Sequence, residues 1–416
     1  MRQILKSRGM RFIFGANLVS MIGSGMNSAA VIWYILQATH SEAALGTLLV
    51  LQTVPAMLML PFTGVIIDRE DRRRLVMLLD ASRAVIILLV ALLAFTHRVQ
   101  VWQLYAMNIL VAAGFWMFWP TVTALIQELT PGAQFVQSNT LLLAGVQGGW
   151  LLAGALVGFM YNHIGLGGVL LIDVSSYVVS LLCYFAVRKG RHVVKRPDAA
   201  PHAAEVKTAL DRYLHEMREG LQFIKGNRAV IAIGTAWSLF TAAMLTQGVV
   251  TAPLSDRILH AGAVGYGWLN AAWAVGAFVS ALYCPLLLQR GAKHWMTASM
   301  GLLALCLYTL PLSRVLAVAC LIYFVMGSAR GTGGVAVNTG MMEQVPPHFM
   351  GRVQNTFYFF GMVLQVVSAT LAGQAAHHVA LTWAFVVIGT LYLAAFFASA
   401  WPAPQTVRVS EAAATD

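Results

Sequence analysis

The chain has 416 residues, 59% hydrophobic and only 10% charged, with a mean hydropathy of +0.72. Soluble chains carry about 25% charged residues, so this one has too few polar side chains to cover a water-exposed globule, and a soluble enzyme is excluded. The formal net charge of +11 lies mostly in the segments between apolar runs and serves as an orientation signal, which removes nucleic acid from consideration. Cys183, Cys284, Cys306 and Cys320 all fall inside apolar runs. With no C-x-x-C pair and no histidine at ligand spacing, they form neither a disulfide framework nor a metal site.

A helix crosses a bilayer with about 20 mostly apolar residues. By that measure twelve spans are predicted, at 12–37, 46–67, 75–96, 101–126, 141–161, 166–187, 229–252, 264–288, 296–313, 315–342, 353–375 and 381–401. No small-residue cleavage site follows the first, which therefore reads as a span and not a removable signal. It carries Ser20, Ser24 and Asn27 on one stripe, with Asn17 a turn earlier. Ser20 and Asn27 are candidates for the wall of a substrate cavity; the plainer reading is hydrogen bonding between helices.

Between the second and third spans stands Gly64-Val-Ile-Ile-Asp68-Arg69-Glu70-Asp71-Arg72-Arg73-Arg74. A glycine here allows close helix approach, and Asp68 with Arg72 makes a charge-assisted latch. This motif resembles the loop motif of the major facilitator superfamily. The resemblance implies a gate element built from Gly64, Asp68, Arg69, Arg72 and Arg73, one that biases a conformation and binds no cargo. A worn copy follows the eighth span as Gln289-Arg290-Gly-Ala-Lys293, with glutamine where the aspartate stood.

An intramembrane charge is costly unless paired or wetted. Asp80 and Arg83 in the third span are three residues apart on one helical face, and read as an internal ion pair extending the latch. The fourth span holds Phe115, Trp116, Phe118 and Trp119. Such closely spaced rings point around the helix, so only some face a cavity; Phe115 and Trp119 are the candidates, against simple packing. Gly154 and Gly158 in the fifth span read as helix-packing positions. In the sixth, Asp173 is placed near the outer end, within reach of water or headgroups, and is a candidate for proton coupling.

Residues 188–228 form the one long polar connection. They open with a basic stretch punctuated by Pro197 and Pro201, suited to anionic headgroups. Val206, Leu210, Tyr213, Leu214, Met217, Leu221 and Ile224 then recur at three- and four-residue steps, the pattern of an amphipathic interfacial helix. Its plain role is to brace the parts on either side. In the tenth span Arg330 sits inside Gly327-Ser-Ala-Arg330-Gly331-Thr-Gly333-Gly334, a stretch that helices tolerate poorly. It is expected to face a cavity or a carboxylate, holding an anionic substrate group or tuning a partner acid; the other reading is an interhelical pair. Asn338, two turns on, shares that face. The eleventh span brings Phe357, Tyr358, Phe359 and Phe360, with Tyr358 the cavity candidate.

Two stretches repeat. Glu128-Leu-Thr-Pro131 with Asn139-Thr140 follows the fourth span, and Glu343-Gln-Val-Pro346 with Asn355-Thr356 follows the tenth. Duplicated halves put a transport site between them near the membrane midplane. The expected organisation is a six-helix half at 1–187, a linker at 188–228, a second six-helix half at 229–401 and a tail at 402–416. Lysine and arginine concentrate at the N-terminus, in 69–74, in the linker and near Arg290, Lys293, Arg352 and Arg408; the opposite side holds Arg98, Arg257 and Arg314. By the positive-inside rule both termini and the linker are cytoplasmic.

Ser20-Met-Ile-Gly23, Gln52-Thr-Val-Pro55, Glu219-Gly220-Leu-Gln-Phe-Ile-Lys-Gly-Asn227 and Val345-Pro346 with Gly351-Arg352-Val353 resemble the macrolide-efflux and enterobactin-exporter-like branch of the superfamily. The resemblance implies an all-α polytopic protein of twelve transmembrane helices in two pseudo-symmetric halves, the major facilitator fold. It further implies a protein of the bacterial cytoplasmic membrane that exports a bulky hydrophobic or amphipathic small molecule, such as an antibiotic, drug or siderophore; a monomer is the simplest expectation for a chain holding both halves. Alternating access by proton antiport would drive it, with no cofactor. The fifth span departs from the glycine-proline motif of proton-coupled exporters, with Ala155 at the proline position and Trp150 at a glycine position. The alternative is a lipid or lysolipid transporter, or a metabolite importer, of the same fold. No Gly-rich phosphate loop of the ATPase type occurs, a sensor would need a folded output domain that the linker is too short to supply, and no nucleophile–base pair marks an enzyme.

Overall fold

The computed structural model describes residues 8–129, 135–187, 202–288 and 292–401, nearly all of them helical and none in a strand. Helix is what a bilayer demands, because hydrocarbon offers no partner to an open backbone N–H or C=O. Among the described residues, 11 helices are long and apolar enough to cross a membrane. In chain order the spans are one (Arg8–Thr39), two (Glu42–Arg69), three (Arg72–Phe95) and four (Val101–Leu129). Spans five and six run together as Phe135–Ala186, 52 residues, or about 78 Å of helix at 1.5 Å per residue. That is more than twice the hydrocarbon thickness of about 30 Å. Gly165 breaks the run at φ 64°, ψ −173°, a conformation open to glycine and few others, and so makes two passes of it.

Span seven is Arg228–Thr246, continued by Gly248–Pro253 and a π-helical turn, Leu254–Ile258. Spans eight to twelve are Gly262–Leu288, Ala292–Thr309, Leu316–Gln344, Pro347–His378 and Leu381–Ala400. Among the described residues the total is twelve passes, six before the helix His202–Lys225 and six after it. Span ten is one uninterrupted helix despite its glycines, which corrects the expectation of a poorly tolerated stretch. Those glycines serve a crossing. A methyl group added to Gly327 would stand 1.9 Å from the Trp273 carbonyl oxygen, and one on Gly276 2.0 Å from that of Phe324. Spans eight and ten therefore touch backbone to backbone. In lipid, such close approach supplies the packing that water-driven burial supplies elsewhere.

The halves meet through spans two and eleven and through spans five and eight. Again glycines mark the contacts. A methyl on Gly46 would come 2.5 Å from Ala369 O, and one on Gly158 2.8 Å from the Cα of Gly267. Trp33 of span one stacks on Tyr266 of span eight at 5.9 Å. Following each helix from its basic end shows that these contacts lie at the opposite end of the bundle. The helix His202–Lys225 packs on spans seven and eleven and touches span two. Arg352 pairs with its Glu219 at 2.9 Å, and Phe223 stacks on Phe349 at 4.9 Å.

Candidate functional site

The first half contains a buried polar core built from two facing stripes. Span one supplies Asn17, Ser20, Ser24 and Asn27; span six supplies Asp173, Ser176, Tyr177, Ser180 and Tyr184. Gly23 lets the helices meet, since a methyl there would lie 2.1 Å from Ser176 Oγ and 2.6 Å from Asp173 Oδ1. Span three inserts Asp80 and Arg83 from the side. Arg83, 1% exposed, and Asp80, 0% exposed, form a tight ion pair through Nη2 and Oδ1.

Every edge of this pair is occupied. Ser180 Oγ donates to Asp80 Oδ2 at 2.7 Å. Arg83 Nε donates to Leu79 O at 3.2 Å and Nη1 to Tyr177 Oη at 3.3 Å. The guanidinium lies between the rings of Phe118 and Tyr177, each 4.5 Å away. Tyr177 Oη shares a hydrogen bond of 2.8 Å with Ser24 Oγ, and Asn17 Nδ2 donates to Tyr184 Oη at 2.9 Å. Burying a charge is tolerable only with such pairing and hydrogen bonding.

Asp173 sits in the same core under different terms. It is 0% exposed, accepts from Asn27 Nδ2 at 2.7 Å and is approached by Ser176 Oγ at 3.4 Å. Both are neutral donors. Asp173 does stand about two turns from the Gly165 break, toward the end opposite the basic segments, but the expectation that it reaches water or headgroups is corrected: Gly23 draws span one over it. Ser20 and Asn27 are corrected likewise, because both are buried and bonded within this core and so do not line a cavity.

The second half places its cation differently. Arg330 stands at the middle of span ten, half-buried. Its Nε donates to Met244 Sδ at 3.0 Å, and its guanidinium lies 4.9 Å from the Trp273 ring. The expected carboxylate is absent: among the described residues no acid pairs with Arg330. One turn on, Gly334 has open space where a side chain would stand, and Asn338 a turn further is exposed.

Of the gate motif, Gly64, Asp68 and Arg69 lie on the last turns of span two, and their side chains lie outside the described residues. Arg72 Nη1 donates to Ala124 O at 3.1 Å. Arg73 Nε and Nη2 donate to Tyr184 O and Phe185 O at 2.9 and 2.6 Å. Arg73 thus caps the carbonyl end of span six, while Arg72 reaches a carbonyl inside the last turns of span four. Phe115, Trp119 and Tyr358 are half-buried. Trp116 and Tyr358 come within 6.0 Å of each other across the halves, while Phe115 packs on Trp116 at 6.2 Å and Trp119 on the core of the first half.

Sequence reading missed two features. Tyr177, Ser180 and Tyr184 continue the stripe from Asp173 at helical spacing, a signal that was present and unused. Glu42 and Arg257 were not connected at all. Arg257, on the π-helical turn, reaches across the halves to pair with Glu42 at 2.5 Å and donates to His40 O at 2.6 Å. Glu42 is fully buried there and Arg257 partly exposed.

Among the described residues, twelve helical passes in two halves that meet at one end, with ion pairs buried in them, make a polytopic membrane protein. The chain belongs to the Major Facilitator Superfamily, whose family model matches residues 13–256. It is 23% identical over 373 residues to the uncharacterized MFS-type transporter YkuC of Bacillus subtilis (strain 168), spanning 87% of this chain and 84% of that one. It is 21% identical over 391 residues to macrolide efflux protein A of Streptococcus pyogenes, spanning 92% of each. Among solved structures, a variant of the nucleoside transporter NupG superposes with a TM-score of 0.74 at 12% identity, over 94% of this chain and 98% of that one. At that identity the likeness is one of fold.

Proposed function

We propose that the protein is a secondary active transporter that exports a bulky hydrophobic or amphipathic small molecule in exchange for protons, with its basic end toward the cytoplasm. The observation that carries the coupling is that this core buries two carboxylates and one guanidinium. Asp80 has Arg83 to itself in contact, which leaves Asp173 to Asn27 and Ser176. Asp173 is thus the group that takes up and gives back a proton. Because it bridges spans one and six beside the span-three pair, its charge bears on how the helices of the first half pack. The similarity to a macrolide efflux protein supports outward movement of cargo. The contacts at the end opposite the basic segments, Glu42–Arg257 among them, must part for release on that side.

The test uses inverted membrane vesicles with an acidified lumen and a pH-sensitive dye. Macrolides, cationic dyes, siderophores, lysolipids and organic anions are added to wild type and to Asp173→Asn. Cargo-dependent proton release in wild type that disappears in the variant is the expected result. Silence across every class sinks proton-coupled export and turns attention to uptake of labelled lipids or metabolites.

A further inference from the structure

We infer that Arg330 is the docking point for a carboxylate, so that the cargo of this transporter is an amphipathic organic monoanion. The inference rests on the transport reading above only in taking the occupant to be cargo. A guanidinium has five N–H donors and no acceptor. In Arg330 one of them meets the Met244 sulfur, a weak acceptor, and the two terminal nitrogens meet no acceptor among the described residues. The contrast is with Arg83, where all three nitrogens are engaged. At the middle of a membrane helix an unsatisfied cation is costly, and no described residue supplies the missing partner.

The surroundings describe that partner. Trp273 covers one face of the guanidinium, which directs a ligand to its edge, where two parallel N–H groups suit the two oxygens of a carboxylate. A single cation offsets one negative charge. A phosphate monoester carries about −1.5 to −2 near neutral pH and would leave an excess in the bilayer interior. The indole of Trp273 and the thioether of Met244 give an apolar, adaptable bed for the rest of the molecule. The route is on the same helix. Gly334 faces open space and Asn338 is exposed, one and two turns from Arg330 toward the basic end. A cationic macrolide would meet repulsion at this point, so the inference separates this protein's cargo from that of the efflux relative.

The test measures saturable binding to the purified full chain in lipid nanodiscs by energy transfer from tryptophan to pyrene. Four probes share one body: 1-pyrenebutyrate, 1-pyrenebutanol, 1-pyrenebutylamine and a pyrenebutyl phosphate. Wild type is expected to hold the carboxylate about 10- to 100-fold more tightly than the alcohol, the range for a charge-assisted contact, with the phosphate weaker than the carboxylate and the amine weakest. Arg330→Gln should erase the preference while the alcohol still binds saturably, and Arg330→Lys should restore part of it. No saturable carboxylate binding, equal binding of alcohol or amine, or a preference surviving in Arg330→Gln each overturns the inference. A vesicle efflux assay with the same probes keeps the two readings apart. If carboxylate binds but no probe moves, the export reading fails and the site stands; if alcohol or amine moves without carboxylate binding, export stands and the site falls.

Discussion

Arg83 and Arg330 each lie inside the membrane-crossing bundle, one in each half, and the chain surrounds them in opposite ways. Arg83 is 1% exposed, paired to Asp80, held by Leu79 O and Tyr177 Oη, and clasped between two rings. Arg330 is half-buried, with one sulfur, one ring and open space a turn away. Taken together they separate two uses of a buried charge. In the first half, charge is spent inside the protein, tying spans one, three and six into a unit, and the proposed proton carrier Asp173 lies within it. In the second, on the inference drawn above, charge is held for a ligand that comes and goes.

The strongest way to break this comparison is to delete each arginine and measure unfolding of the detergent-solubilised protein. Arg83→Met strands the buried Asp80 carboxylate and should cost about 3–5 kcal/mol, whereas Asp80→Asn combined with Arg83→Met should recover most of that loss. Arg330→Met strands nothing and should cost less than about 1 kcal/mol. Equal losses from the two single variants would mean that Arg330 is as structural as Arg83. The packing around Arg330 sharpens the same point. Gly327→Ala pushes a methyl into the Trp273 carbonyl and should cost about 1–3 kcal/mol, as overpacking does. Gly334→Ala enters open space and should fall within about 0.5 kcal/mol of wild type. A large loss at Gly334 would show that the face is packed and the proposed approach to Arg330 closed.

What could be read beforehand follows the same division. The spans were readable because hydrocarbon permits no alternative to helix, and Asp80 with Arg83 was readable because three residues on one helix are neighbours whatever the fold does. The polar stripe on span one was also plain, but its meaning was not. Whether Ser20 and Asn27 face a cavity or another helix depends on Gly23 admitting span six, a contact 150 residues away in sequence by order of magnitude and invisible to periodicity. The glycines of span ten misled for a related reason. Their low helix propensity is measured in water, while in the membrane the backbone has nowhere else to bond and the glycines instead set the crossing with span eight. Glu42 and Arg257 were unreadable as a pair because each looks ordinary alone: an acid at a helix start, and a stray arginine on the sparsely charged side.

That pair yields the most directional effect. Glu42 is fully buried and Arg257 partly exposed, so the two substitutions that break the bridge are not equivalent. Arg257→Gln leaves a buried carboxylate without its cation, whereas Glu42→Gln leaves an arginine that still reaches water and still donates to His40 O. Both should shift the population away from closure at this end, Glu42→Gln by about fivefold or roughly 1 kcal/mol, as for an ion pair near the surface, and Arg257→Gln by more. Spin labels at the exposed positions Gln37 and His260, on opposite halves, would report the shift as a longer distance gaining weight. Should Glu42→Gln leave this end as closed as in wild type while Arg257→Gln opens it, closure would rest on the arginine's hold on His40 and not on the buried acid, and the cross-half latch would belong to a backbone contact.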